Sequence, residues 1–301
     1  MAPLFPWYLR QSAADVSVIH VPNPTAELSW LMARPRGTLV VRYHSDVVRQ
    51  ALAMRLYRPF LMHFLRQAAI IVPTSEPYVQ TSSILREVAD KCRVVPLGIV
   101  AEEFEAPDLD QVAALRERYG SPFVLFSGMH RYYKGLPWLV RAAKQVNAHV
   151  VIAGDGPERE ACMQLASELE VNISFPGALS HEDLVAHLHA CAVFAFPSVA
   201  RSEAFGISIM EAHVCGKPVV ATTLGTGVEY INEHEKTGLN VAPENAEALA
   251  EALNTLLDNQ DLRDRMGAYA RDRIKQRFTA DQVARDEFAL YEEAHQCNCP
   301  S

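Results

Sequence analysis

The chain has 301 residues, 49 % apolar and 21 % charged, with 14 Gly, 18 Pro and 6 Cys. This composition excludes disorder, a collagen-like repeat and a small disulfide scaffold, and leaves room for two medium domains. With 28 Lys and Arg against 36 Asp and Glu, the formal net charge is −8, which disfavours a nucleic-acid binder and leaves phosphate binding to local basic patches.

The longest apolar runs are strand-sized, well short of the ~20 residues of a membrane span. The opening MAPLFPWYLRQ lacks the basic start and small-residue cleavage site of a secretory leader, so a cytosolic chain is expected. Strand-like runs then follow in order: VSVIHV (16–21), GTLVVRYH (37–44), AAIIVPTS (68–75), RVVPLG (93–98), FVLFSG (123–128), HVVIAGDG (149–156), NISFPG (172–177), VFAFPS (193–198) and PVVAT (218–222). Runs apolar throughout and separated by amphipathic helices predict a doubly wound α/β architecture with parallel sheets. The acidic stretch at about 100–107, with Pro107, reads as a linker between two Rossmann-like units, residues 1–103 and 104–280. Helices are expected at 245–258 and 260–277, and a last one at 279–296, with the 281–301 segment crossing back to the first unit. Cys92, Cys162, Cys191, Cys215, Cys297 and Cys299 show no C-x-x-C spacing and read as thiols rather than disulfides or zinc ligands.

Three stretches carry chemistry. In FVLFSGMHRYYKGLPWLVRAA a strand ends at Ser127-Gly128, a loop holds Arg131 and Lys134, and Gly135 opens a helix, which together make a diphosphate cradle. Solvated surface charge is the plainer reading of such a loop. VVIAGDGPERE repeats the strand, Gly154-x-Gly and helix logic but lacks the third glycine and the acidic residue of a dinucleotide site. In SVARSEAFGISIMEA, Glu203 precedes a helix and Glu211 sits about one turn inside it, so the two carboxylates can reach different parts of one elongated ligand. The Ala204, Phe205 and Gly206 amides at the helix start can bind hydroxyls or developing negative charge. Taken alone, Glu203 is equally a loop charge and Glu211 a partner for a neighbouring cation.

The order G-x5-K-G (128–135), I-A-G-D-G-P (152–157), F-x-G-x-L-S-H-E-D-L (175–184), F-P-S-x3-S-E-A-F-G-I-S-I-M-E-A (196–212), C-G-K-P-V-V-A-T (215–222) and T-G-L-N-V-A-P (237–243) resembles the retaining GT-B glycosyltransferases of family 4 over about 95–280. The resemblance implies a GT-B fold with a shortened first domain. It implies transfer of a hexose from a nucleotide diphosphate sugar to a glycan or lipid-linked acceptor, with no metal and no cofactor. It places Glu203 on the donor sugar, Glu211 on the ribose, Arg131 and Lys134 on the diphosphate, and backbone around Gly177 and Leu179 on the base. VVRYHSD resembles the family's strand-end histidine, His44, near the donor sugar. The stretch LGTGVEYINEHEKTGLNVAP looks most like mannosyltransferases of polysaccharide assembly, which points to GDP-mannose. Because the first unit matches less completely, the alternative is a non-catalytic or half-site nucleotide-sugar-binding subunit that needs a partner chain.

Two further features have competing readings. Asp108-Leu109-Asp110 matches the D-x-D of metal-dependent transferases, but it precedes the helix pattern VAALRERYG and reads as an N-cap. From Arg42 to Arg66, Arg42, Arg49, Arg55, Arg58 and Arg66 face a single acid, Asp46, among Leu52, Met54, Leu56, Tyr57, Phe60, Leu61, Met62, Phe64 and Leu65. That stretch suits either a helix lying on the inner membrane face or a core-packed helix with a basic edge. A short first unit would leave apolar surface uncovered near MAPLFPWYLR and 47–66, for a homodimer, a partner chain or a peripheral membrane contact.

Overall fold

The computed structural model describes residues 4–46 and 51–296, the side chains of 51–54 apart. It divides into two units. One takes the chain up to Leu97 and again from Asp281, and the other runs Gly98–Ala280.

The first unit begins with α1 (Phe5–Gln11), β1 (Val16–Val21), α2 (Pro24–Ala33), β2 (Thr38–Tyr43), α3 (Ala51–Gln67), β3 (Ile70–Pro73) and α4 (Glu76–Thr81). Its sheet is parallel in the order β1-β2-β3, with Val16 opposite Thr38 and Val40 opposite Ile70. All six residues of β2 are buried, as a central strand covered on both faces requires. Arg42 on that strand is 3 % exposed; its guanidinium donates to the carbonyls of Val95 (2.8 Å) and Pro96 (2.9 Å) and lies 3.7 Å from Glu287. Arg42 is therefore an internal clamp and not part of a basic helix edge. Residues 93–98, expected as a strand, only begin a ladder. Arg93 and Val95 donate to Ile71 and Pro73, and Pro96 has no N–H to extend it.

On α3, Leu61, Met62, Phe64 and Leu65 are buried, while Arg58 and Arg66 pair with Glu87. The apolar face of this helix is thus spent on the core; Arg49 and residues 47–50 lie outside the described residues. Exposed apolar side chains remain at Leu4, Trp7 and Tyr8 around α1 and at Leu56. Among the described residues no helix is long and apolar enough to cross a membrane.

The second unit contains α5 (Leu109–Tyr119), β4 (Phe123–Ser127), α6 (Leu136–Ala142), β5 (His149–Ala153), α7 (Arg159–Glu168), β6 (Ile173–Gly177), α8 (His181–Ala190), β7 (Val193–Phe196), α9 (Ile207–Val214), β8 (Val219–Thr222), α10 (Val228–Ile231), β9 (Gly238–Val241), α11 (Ala246–Leu257) and α12 (Gln260–Arg277). Then α13 (Ala280–Gln296) joins the first unit, where Val283 and Ala294 meet Val40, Ile70, Val72 and Val95. The six-stranded parallel sheet runs β6-β5-β4-β7-β8-β9. One face is covered by α6, α7 and α11 through Leu139, Cys162, Leu253 and their neighbours, and the other by α8 and α9. The strand β9 is not among the strand-like runs expected from the sequence because, at the sheet edge and only partly buried, GLNV carries no continuous apolar run.

The segment read as a linker is part of this unit: Ala101–Phe104 forms a 3-10 turn with Ala101 and Phe104 buried. The Asp108 carboxylate accepts from the amides of Asp110 (2.9 Å) and Gln111 (3.1 Å), so the D-x-D pair serves the start of α5. Cys92, Cys162, Cys191 and Cys215 are free thiols, and burial pushes all four upward, Cys215 to about 12. Cys297 and Cys299 lie outside the described residues.

At the C-terminal ends of β4, β5 and β6 three glycines stack: the Gly128 amide donates to Ala153 and the Gly154 amide to Gly177 (2.7 Å). Gly154 has φ +119, and a Cβ there would collide with the Gly128 carbonyl, whereas Gly120, at φ +78, faces open space. Gly120→Ala therefore bears only a backbone cost, about 1–3 kcal/mol for a φ of 78 and ψ of 160 that glycine almost alone adopts. Gly154→Ala adds a backbone collision, and its melting temperature should fall several degrees further than that of Gly120→Ala.

His213 on α9 is fully buried, and burial, aided by the charge of Arg273 and opposed by Asn232 and Thr237, pushes it down to about 3. In the unfolded chain it takes a proton near the ordinary 6.5, so below that pH the unfolded state binds a proton the folded state does not. The stability it allows is complete above pH 6.5 and is lost as pH falls toward 3. Urea unfolding should show this as a loss of ~2 kcal/mol between pH 6.5 and 5, missing in His213→Leu.

Candidate functional site

The chain winds outward from β4 through β5 to β6, then returns to lay β7 on the other side of β4. The loops leaving β4 and β7 therefore diverge over adjacent strands, the switch point at which open α/β sheets bind ligands. The first loop is 128–135 and the second 197–206. Gly135, at φ +66, lies so close to the Pro197 carbonyl that a Cβ would collide with it, and the Val199 amide donates to the Tyr133 carbonyl (2.7 Å). The two loops are thus strapped together by backbone.

This strap brings Lys134 to Glu203. The Lys134 ammonium lies 2.6 Å from the Glu203 carboxylate, with both side chains about nine-tenths buried, and it stands over the Phe196 ring at 5.0 Å. Ser198 donates to the same carboxylate oxygen (3.1 Å), and Thr226 donates to the Glu203 carbonyl (2.9 Å). The Gly227 amide donates to the Ala204 carbonyl (2.8 Å), and Gly206, at φ +94, opens α9. Glu211 is half-buried. Burial pushes its carboxyl upward, opposed by the charges of His181 and Lys134. Lys134 therefore pairs with one carboxylate, Glu203, and its charge is felt by a second, Glu211. An anionic ligand reaching Lys134 must compete with Glu203, while a hydroxyl-bearing ligand can use both acids as acceptors.

The other expected site residues fall in three places. Arg131 is exposed on the first loop, its Nε 3.0 Å from the Met129 sulfur, and is not drawn into the Lys134–Glu203 pair. Gly177 and Leu179 lie at the end of β6, and a Cβ on Gly177 (φ +88) would meet open space. His44 belongs to the first unit, just after β2. Its Nε2 lies 2.7 Å from His20 Nδ1 with the rings stacked at 4.9 Å, and burial, His20 and Arg42 all hold its pKa down.

His130 is a residue the sequence reading passed over. It is fully buried on Phe126, its ring nitrogen is 3.3 Å from the Ala153 carbonyl, and its backbone exchanges hydrogen bonds with Asp155 and Glu158. It fastens the Lys134 loop to the Gly154 loop. No spacing rule singles out a lone His among the polar residues of a loop, and the same holds for Ser198.

The glycosyl transferases group 1 family model matches residues 110–273. The chain is 37 % identical over 278 residues to O-antigen chain mannosyltransferase C of Escherichia coli, covering 92 % of this chain and 75 % of that protein. It is 38 % identical over 274 residues to D-rhamnosyltransferase WbpZ of Pseudomonas aeruginosa, covering 90 % and 72 %. Among solved structures, Anabaena Alr3699/HepE in complex with UDP superposes with a TM-score of 0.82 at 21 % identity, covering 96 % of this chain and 82 % of that one. With parallel sheets in both units and glycosyltransferases of GT-B fold as structural neighbours, the chain belongs to the glycosyl transferases group 1 family.

Proposed function

We propose that this glycosyltransferase moves a hexose, mannose in the first instance, from a nucleotide diphosphate donor to a glycan or lipid-linked acceptor, with retention at the anomeric carbon and without a metal. The observation that carries this reading is the Lys134–Glu203 pair, 2.6 Å apart at the β4/β7 switch point beside three stacked glycine loops. Glycine loops let a backbone approach phosphate oxygens closely, and the ammonium supplies a fixed cation where negative charge develops. The mannosyl and rhamnosyl relatives support a hexose donor, and the likeness of the 224–243 stretch to mannosyltransferases favours a GDP-linked mannose.

In the reaction the bond between the anomeric carbon and the diphosphate oxygen breaks, and the electron pair leaves with the diphosphate. The acceptor hydroxyl attacks on the same face and passes its proton to that departing oxygen. Lys134, joined by Arg131 from the loop rim, holds the leaving group more strongly as its charge grows, so the cations lower the barrier rather than merely tightening the ground state. Glu203, freed from Lys134 by the incoming diphosphate but still held by Ser198, orients the sugar; Glu211 accepts from the ribose. The D-x-D carboxylate of Asp108 is engaged with α5 amides, so charge neutralisation falls to the two side-chain cations.

Lys134→Ala should weaken nucleoside diphosphate binding on the order of 10- to 100-fold, as expected for loss of a charge-assisted hydrogen bond, and Arg131→Ala should weaken it less because that side chain is exposed. Calorimetry with GDP and UDP measures both; unchanged affinity in both variants removes the cradle. Glu203→Gln, which removes the competitor for Lys134, should hold or raise nucleoside diphosphate affinity while transfer collapses, and Glu211→Gln should lower both. Transfer that EDTA abolishes and Mn²⁺ restores would overturn the metal-free reading.

A further inference from the structure

A second cavity lies in the same unit at the opposite edge of the sheet. Its volume is about 410 Å³, and its floor is Pro122, Ala192 and Pro218, the residues immediately before β4, β7 and β8. The switch-point loops described above leave the other ends of β4 and β7. Arg116, Lys217 and Arg263 line this cavity, with Asp264 as the one carboxylate among the lining residues.

The three cations are held in place without being neutralised. Arg116 and Lys217 donate to the same oxygen, the His189 carbonyl, at 3.1 and 2.9 Å. Arg263 donates to the carbonyls of Leu256 and Leu257. Carbonyl oxygens at the ends of α8 and α11 offer only partial negative charge, and none of the three cations forms an ion pair among the described residues. Two like charges sharing one acceptor repel, and the proximity of Arg116 and Arg271 adds to burial in holding the Lys217 ammonium pKa down. In a chain of net charge −8, three cations lining one concave, mainly polar space suit an anion. The cavity is wide enough for more than a bare ion, since pockets of this size bind small molecules.

We propose that this cavity binds a small phosphate monoester of hexose-phosphate size, with the phosphate between Arg116, Lys217 and Arg263 and the sugar over the Ser121–Pro122 turn. It is distinct from the donor site and does not depend on the reaction assigned there. Lys217 follows α9 after the Cys215-Gly216 turn, and α9 carries Glu211 in its last turn, so occupancy would be felt through that turn and one short helix.

The test is titration calorimetry with glucose 6-phosphate, inorganic phosphate and glucose on the full chain, its Lys134→Ala variant, Lys217→Met and Arg116→Gln. The ester should bind wild type and Lys134→Ala alike and Lys217→Met at least ~10-fold more weakly, with inorganic phosphate weaker because it fills less of the cavity, and glucose silent. Thermal unfolding without ligand verifies that each variant is folded, and Arg116→Gln, an exposed side chain, carries the test if Lys217→Met does not fold. No binding of the ester, or binding that Lys134→Ala abolishes while Arg116→Gln leaves it unchanged, overturns the proposal.

Discussion

The second unit is organised by the adjacency of β4 and β7. Because the chain returns to place β7 against β4, two loops far apart in sequence leave neighbouring strands at the same edge, and each can be braced by the other. Everything at the candidate site depends on that adjacency. Gly135 can press on the Pro197 carbonyl, Val199 can bond Tyr133, and Lys134 can reach Glu203 across the gap. The glycines at the ends of β4, β5 and β6 extend the same edge into a backbone shelf. A side chain on Gly154 would break the shelf at its middle.

The Lys134–Glu203 pair sets stability against function. Two charges nine-tenths buried carry a desolvation cost that their attraction only just repays, and removing either leaves the other buried without a partner. A core made only for stability would have an apolar pair here. The retention of charge fits the exchange in the proposed reaction, in which an incoming anion would take over Lys134 and leave Glu203 with Ser198 and a substrate hydroxyl. His130 shows how the same region is kept rigid while its charges stay exchangeable, since its bonds run to backbone and its ring is buried on Phe126.

In the first unit a single buried arginine does comparable work. Arg42 joins the central strand to the carbonyls of the 95–96 segment and to Glu287 on α13, so the last helix is fixed to the unit by a charge as well as by Val283, Leu290, Tyr291 and Ala294. The His20–His44 pair, formed by the ends of β1 and β2, is a consequence of their parallel register, in which His20 lies beside Arg42 and the next turn carries His44.

Much of this could be read from residue order alone. Continuous apolar runs such as FVLF and VFAF announce strands buried on both faces, and helix caps such as Asp108 and Ser180 act through amides two or three residues away, so local chemistry is enough to place them. The glycine positions and the two glutamates were legible because their spacing along one loop and one helix is itself local. What needed the tertiary structure is every relation that depends on strand order. Arg42 reads as one more basic residue before a helix until parallel pairing buries it. Arg131 and Lys134 read as an equivalent pair until the β4/β7 strap draws in one and leaves the other in water. The partnership of Glu203 with Lys134 spans residues that nothing along the chain connects, because a one-dimensional pattern records which residues are apolar but not which strand lies beside which.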